Sequence, residues 1–273
     1  MGLVGVGIIG RAIAETLLAQ RVDVLVHDRD PDAVAGLPEH SIAGSVAEQA
    51  ERCRVLLVAV QDDDQCAEVV EAALTTASPG SVIVVHSTVL PSTVQRLGGV
   101  AAGHDVELLD APLAGTGEDG VRDATMWVLA GGPATTIDRV QPLFDRYTGR
   151  VLRTGALGSG AALKLAHNVF VYLGYRAVQE AHDLARAAGV ADGLLAEVTT
   201  ASGMMSPSFR VYHDIYEHRV GLADDERGPG PFTTYAAILE KDLRQAVEVA
   251  AGYGLALPAA ELVRHRGDEI YRV

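Results

Sequence analysis

Apolar runs of strand length alternate with helical stretches through the first half of this chain, and the alternation stops in the second half. Val4 opens a short strand that breaks at glycine; Ile9, Ile13, Leu17 and Leu18 then recur at helical spacing over residues 8–20, and residues 22–28 (VDVLVHD) form a second strand. That is one βαβ unit. Further runs follow at 55–60 (VLLVAV), 82–86 (VIVVH), 106–109 (VELL) and 126–130 (MWVLA). Nearly continuous β-branched and leucine runs, separated by helical stretches, mark a parallel sheet covered on both faces. After Val151 the pattern predicts helix only, over 156–189, 192–202, 208–218 and 233–252, with the 224–231 run (DDERGPGP) as a loop. The expected fold is therefore α/β, a doubly wound sheet followed by an all-helical C-terminal domain. The division falls near 153–158, giving domains 1–155 and 156–273.

Composition narrows the function classes. The chain has 273 residues, 48% hydrophobic and 21% charged, with a formal net charge of −14, which describes a globular protein and not a disordered one. Such an acidic balance argues against nucleic acid or an anionic lipid surface, both of which need clustered Lys and Arg. No basic segment followed by a long apolar run opens the sequence, and the 154–175 stretch holds glycines, a lysine, His167 and Asn168, so it reads as a buried helix and not a membrane span. Cys53 and Cys66, thirteen apart without a neighbouring ligand motif, are expected to be buried thiols of a reduced, cytoplasmic protein. No metal is expected: the nine histidines include no HExxH, and His213 and His218, on a polar helix, are expected at the surface.

Three features carry chemistry. At the first strand-to-helix junction stands Gly5-Val6-Gly7-Ile8-Ile9-Gly10, with Asp28 eighteen residues after Gly10 at the end of the next strand. In a dinucleotide site the first glycine permits the turn, the second lets backbone approach the pyrophosphate, the third lets helix and strand pack, and the acidic residue accepts from the ribose. Asp28 repels a 2′-phosphate and favours NAD, whereas Arg29 beside it could pair with that phosphate, so NAD or NADP is expected, with NAD favoured. The second feature is Lys164, the only formally charged side chain from 154 to 175, lying between Gly160 and Asn168 at one-turn spacing. An amine in apolar surroundings loses solvation and moves toward the pKa range useful for proton transfer. A third stretch, Asp110-Ala111-Pro112-Leu113-Ala114-Gly115-Thr116-Gly117, follows a strand end and offers backbone N–H groups suited to a carboxylate.

GVGIIG at the N-terminus, HST at 86–88, DAPLAGTG at 110–117, GSGAALKLAHN at 158–168 and KDL at 241–243, in that order, resemble the β-hydroxyacid dehydrogenase family. That family includes 3-hydroxyisobutyrate dehydrogenase and tartronate semialdehyde reductase and is related to 6-phosphogluconate dehydrogenase. The resemblance spans almost the whole chain. It implies a Rossmann-like N-terminal domain, a helical C-terminal domain, a homodimer or homotetramer, and a small-molecule substrate, expected to be a carboxylate. By position, Lys164 matches the catalytic lysine, Asn168 the substrate-holding asparagine, and Lys241 a second lysine that reaches the cofactor. Thr88, Val60, Gln61 and Gln65 match the nicotinamide side, and Ser87 with Ala114, Gly115 and Thr116 the substrate side.

Three departures stand out. The family's substrate-loop serine is Ala114 here, with Thr116 replacing the second glycine; His167 replaces an asparagine beside Asn168; and His86 stands where aspartate is common, expected as a satisfied histidine at a strand end. The resulting expectation is hydride transfer between a nicotinamide and a small 3-hydroxy acid or semialdehyde, with Lys164 as general acid and base. Two alternatives are an imine or ketone reductase on the same scaffold, which would need no carboxylate serine, and a non-catalytic dinucleotide-binding module.

Overall fold

The computed structural model describes residues 1–222 and 231–271. They form two compact units, 1–164 and 165–273. The expected loop over 224–231 lies outside the described residues up to position 230.

The first unit is built on one sheet. Its elements run β1 (Gly2–Val4), α1 (Ile8–Ala19), β2 (Leu25–His27), α2 (Val46–Arg52), β3 (Val55–Val58), α3 (Asp63–Leu74), β4 (Val82–Val85), α4 (Pro91–Ala102), β5 (Glu107–Asp110), β6 (Leu113–Ala114), α5 (Gly117–Arg122), β7 (Trp127–Gly131), α6 (Ala134–Phe144) and β8 (Arg150–Gly155). The strand order is β2-β1-β3-β4-β5-β7-β6, with β8 on β7. From β2 to β5 all pairs are parallel, and their last residues, His27, Val4, Val58, Val85 and Asp110, come into register at one edge. The chain leaves β1 to one side for β2 and to the other for β3. This makes the β1/β3 gap the switch point at which open α/β sheets bind ligands.

The period of two in strand side chains explains why the sheet is covered twice. Leu3, Val26, Leu57, Val84 and Leu109 enter one core with Ile13 and Leu17 of α1 and Ile137, Val140 and Phe144 of α6. Their neighbours Val4, Leu56, Val58, Ile83, Val85 and Leu108 enter a second core with Cys66 and Val70 of α3 and Val94 and Leu97 of α4. Cys53 and Cys66 are buried and free, as expected, and burial pushes the Cys66 thiol up to about 12.

Two expectations need correction. The sheet is mixed, because β7 runs antiparallel to both β5 and β6. A strand also persists past Val151: β8 pairs in parallel with β7 from Arg150 to Gly155. Its sequence, RVLRTG, carries arginines at exposed positions of an edge strand, where one side has no partner to demand an apolar run.

Helix α7 (Ser159–Ala187) begins in the first unit and continues into the second, which also holds α8 (Leu194–Ala201), α9 (Pro207–Val220), α10 (Pro231–Gly252), α11 (Pro258–Val263) and α12 (Gly267–Tyr271). The last two helices were not expected. The core of this unit is aromatic: Tyr172, Tyr212, Tyr216 and Tyr271 pack with Leu239, Leu243 and Ile270, and Tyr175 stacks on Tyr212 at 4.4 Å between ring centroids. Among the described residues no helix is long and apolar enough to cross a membrane.

Candidate active site

The N-terminal glycines differ in what surrounds them. Gly5 has φ +89°, and a Cβ there would lie 2.2 Å from the Ala59 carbonyl oxygen. A Cβ on Gly10 would lie 1.9 Å from the Gly5 carbonyl oxygen, so α1 can pack on the turn only through a bare backbone. A Cβ on Gly7 would meet nothing within 4 Å. Gly7 is the N-cap of α1, with no side-chain partner and no acidic residue in the first turn, so the positive end of the helix is left for an anion.

Beside this turn lies a cleft of about 520 Å³, lined among others by Gly5, Gly7, Asp28, Arg29, Val60, Gln61 and Gln65. Fold and cleft thus bring together seven of the positions singled out from sequence. Ile8 and Ile9 are not among its walls; Ile8 is exposed and Ile9 packs toward the core. Asp28 accepts from the backbone N–H groups of Val6 at 2.6 Å and Asp30 at 2.9 Å, and each oxygen retains a lone pair for a ribose hydroxyl. An open glycine and an uncapped helix start offer N–H donors to a pyrophosphate, and the Asp28 carboxylate offers acceptors to a ribose, so these residues fit a dinucleotide.

At the next strand end the Ser87 hydroxyl accepts from the Val60 N–H at 2.8 Å and is itself buried. It therefore fixes the Val60–Gln61 turn. Thr88 follows, half-buried. His86 is satisfied at its strand end, as expected: Nδ1 donates to the Ala111 carbonyl at 2.5 Å, and Nε2 accepts from the Tyr147 hydroxyl at 2.9 Å. Burial, opposed only by the Ala111 bond, lowers its pKa to about 4, so it is neutral at ordinary pH.

Ala114, which ends β6, is half-buried, while Gly115 and Thr116 just after it are exposed. Gly115 has φ +152°, and a Cβ there would press on Met126 Sδ at 2.5 Å.

Asp110, the first residue of the DAPLAGTG stretch, anchors the start of α7. Only 1% exposed, it accepts from the N–H of Gly158 at 2.8 Å and of Ala161 at 2.7 Å. Burial raises the pKa of this carboxyl and those N–H bonds oppose the rise. Gly160 explains the close approach: a Cβ would stand 2.1 Å from the Leu129 carbonyl oxygen. Lys164, half-buried, follows one turn later on the same helix.

In the second unit Asn168 is buried and donates from Nδ2 to Asp242 Oδ2 at 2.6 Å. The same oxygen accepts from the Tyr172 hydroxyl at 3.2 Å, and Asp242 Oδ1 lies 2.8 Å from Lys241 Nζ. That close pair is Coulombic: Oδ1 has no aligned hydrogen bond. His167 Nδ1 lies 3.3 Å from Asn168 Oδ1. Asp242 and Tyr172 were missed as site residues: Glu240 and Asp242 both flank Lys241, and the local sequence does not say which of the two carboxylates turns inward.

His213 corrects another expectation. It is 9% exposed and so is not a surface residue, whereas His218 is exposed. Tyr212 and Tyr216 on the same helix belong to the aromatic core, which turns that face inward.

Known proteins resemble this chain along most of its length. The sequence profile of the NAD binding domain of 6-phosphogluconate dehydrogenase matches residues 1–174. L-threonate dehydrogenase of Escherichia coli K12 is 29% identical over 269 residues, covering 95% of this chain and 85% of that protein. The 2-hydroxy-3-oxopropionate reductase of the same organism is 29% identical over 262 residues, covering 94% and 86%. Among solved structures, 3-hydroxyisobutyrate dehydrogenase from Salmonella typhimurium superposes with a TM-score of 0.84 at 25% identity, covering 98% of this chain and 92% of that one.

Proposed function

This chain belongs to the β-hydroxyacid dehydrogenase family, the relatives of 6-phosphogluconate dehydrogenase, and we propose that it moves a hydride between a nicotinamide dinucleotide and a small 3-hydroxy acid or its semialdehyde. One observation carries the reading. Lys164 sits one turn before Asn168 on α7, and the start of that helix is clamped by Asp110. A bound nicotinamide would supply or accept the hydride. The chain must then handle the proton: Lys164 gives it to the carbonyl oxygen in reduction and takes it from the hydroxyl in oxidation.

Asn168 has one Nδ2 hydrogen engaged by Asp242, which fixes the amide plane and leaves the second hydrogen for the substrate oxygen. Gly115 and Thr116 anchor the carboxylate, with the Thr116 hydroxyl doing what the serine absent at Ala114 does elsewhere in the family. Ser87, being spent on Val60, acts behind that wall by holding the turn. Gly5, Gly7, Gly10, Asp28 and Arg29 hold the adenosine and pyrophosphate half of the cofactor; Val60, Gln61, Gln65, Thr88 and Lys241 hold the nicotinamide half. Asp28 faces the cleft and favours NAD over NADP.

The reading includes a cofactor domain over 1–155, a helical substrate and dimerisation domain over 156–273, and a homodimer or homotetramer in the cytoplasm. Exposed apolar side chains on the helical unit, Phe170, Leu184, Leu194, Val198 and Met204, support assembly.

The test is NADH and NADPH consumption with a panel of small carboxylated semialdehydes, uncharged ketones and cyclic imines. Carboxylated semialdehydes are expected to turn over fastest, and Lys164→Ala to lower kcat about 100- to 10,000-fold while NADH affinity holds. Preference for imines, or full activity of Lys164→Ala, overturns the proposal; cofactor binding with no turnover of any compound points to a binding module.

A further inference from the structure

Away from everything used above, the helical unit gathers a second set of ligating side chains. His182 of α7 and His213 and Glu217 of α9 place one ligand atom each within 4.8 Å of one another. His213 and Glu217 are four apart and share a face of α9, while His182 reaches them from the neighbouring helix. The two imidazoles are buried, with ring centroids 4.6 Å apart, and His182 Nδ1 lies 3.4 Å from Glu217 Oε1. That last separation is the edge length of a tetrahedron around an ion with bonds of about 2.0–2.2 Å.

We propose that His182, His213 and Glu217 form a binding site for a divalent transition metal of the zinc type, which ties α7 to α9. Two imidazole nitrogens and one carboxylate oxygen are a borderline donor set that suits zinc; magnesium and calcium take oxygen ligands almost alone. A cavity of about 20 Å³, bordered by His182, Arg186, Asp192 and Glu217, has room for one water as a fourth ligand. His213 Nδ1 lies 3.1 Å from Asp214 Oδ1. Donation to that carboxylate fixes the tautomer and leaves the lone pair on Nε2, the arrangement that commonly backs a metal-bound histidine.

The surrounding charge favours a dication. Asp183, Asp192, Asp214 and Glu217 are countered locally by Arg186, whose guanidinium lies 3.1 Å from Glu217 Oε2 and 3.8 Å from Asp192 Oδ1. Arg186 is the competitor for Glu217. Its Nη2 donates to both carboxylate oxygens, to Oε2 at 3.1 Å and to Oε1 at 3.3 Å, so a metal takes Oε1 by displacing the longer of the two bonds while the shorter one persists.

The site is tested on the whole chain, stripped with chelator and dialysed against Zn²⁺, with bound metal measured directly and thermal melts in parallel. One Zn²⁺ per chain and a higher Tm are expected. The His182→Gln/His213→Gln double variant should bind at least about 100-fold more weakly. His218→Gln, an exposed histidine on the same helix, should bind like the unmodified chain. Loading with Co²⁺ provides a reading that needs no variant: strong tetrahedral d–d bands at one equivalent support the site, and weak octahedral bands overturn it. Failure of the unmodified chain to retain zinc, or equal retention by the double variant, also overturns it.

Discussion

The two units of this protein make their candidate sites in opposite ways. In the first, the cofactor turn exists because side chains are missing: Gly5 and Gly10 permit backbone contacts that any Cβ would prevent, and Gly7 leaves space beside a helix start. In the second, the site exists because polar side chains are buried. Asn168 and Tyr172 donate to one oxygen of Asp242, and Lys241 pairs with the other. The contrast teaches where each can fail. A glycine site fails by steric intrusion and is local, whereas a buried polar network fails by losing one member and stranding the rest.

The largest effect is expected from the network. Asp242→Ala removes the acceptor shared by the buried Asn168 amide and Tyr172 hydroxyl, two hydrogen bonds to a charged group, at a cost of about 3–5 kcal/mol, measurable by urea unfolding. A loss under about 1 kcal/mol would mean that water replaces the carboxylate and that the network is not closed.

Next comes His86, a buried titratable group of the first unit, which tests whether side-chain burial matters there too. Its folded pKa of about 4 lies below its ordinary value of 6.5. Between those values the unfolded chain binds a proton that the folded chain does not, so stability rises with pH across the window and is lost as pH falls from about 6.5 to about 4. The loss amounts to about 3 kcal/mol. Unfolding curves across this range should show it, and His86→Gln should lack that component.

The smallest effect on stability is expected at the glycines, although it divides them most sharply. Gly10→Ala forces a methyl against the Gly5 carbonyl and should cost about 1–3 kcal/mol and most NADH affinity. Gly7→Ala should melt like the unmodified chain and lose NADH affinity alone. Equal melts for both would break the assignment of separate roles to the two glycines.

Much of the first unit was legible because its signals are local. A glycine pattern between a strand and a helix, with Asp28 at the next strand end, already contains the turn, the helix start and a carboxylate on the cleft wall. The continuous VIVV run of β4 is likewise buried along its whole length, which is what such a run predicts. Strand β8 was not legible, because an edge strand carrying arginines has no apolar signature. The reversal of β7 was hidden because periodicity reports burial and says nothing of strand direction.

The residues along α7 and α10 divide along the same line. Lys164 and Asn168 could be paired from their spacing, since one helical turn is a property of the helix alone. Asp242 could not be assigned to Asn168, because the bond spans 74 residues of sequence. His213 reads as a polar position on a polar helix until α7 brings His182 beside it.

The amino-acid sequence by itself determined the alternation of strand and helix, the glycine turn and the lysine-asparagine spacing, all of which follow from backbone geometry within a few residues. Tertiary structure decided which carboxylate meets which amide, which strands reverse, and which histidines leave the solvent. Those outcomes depend on desolvation and on partners distant along the chain, and neither is written in a local run of residues.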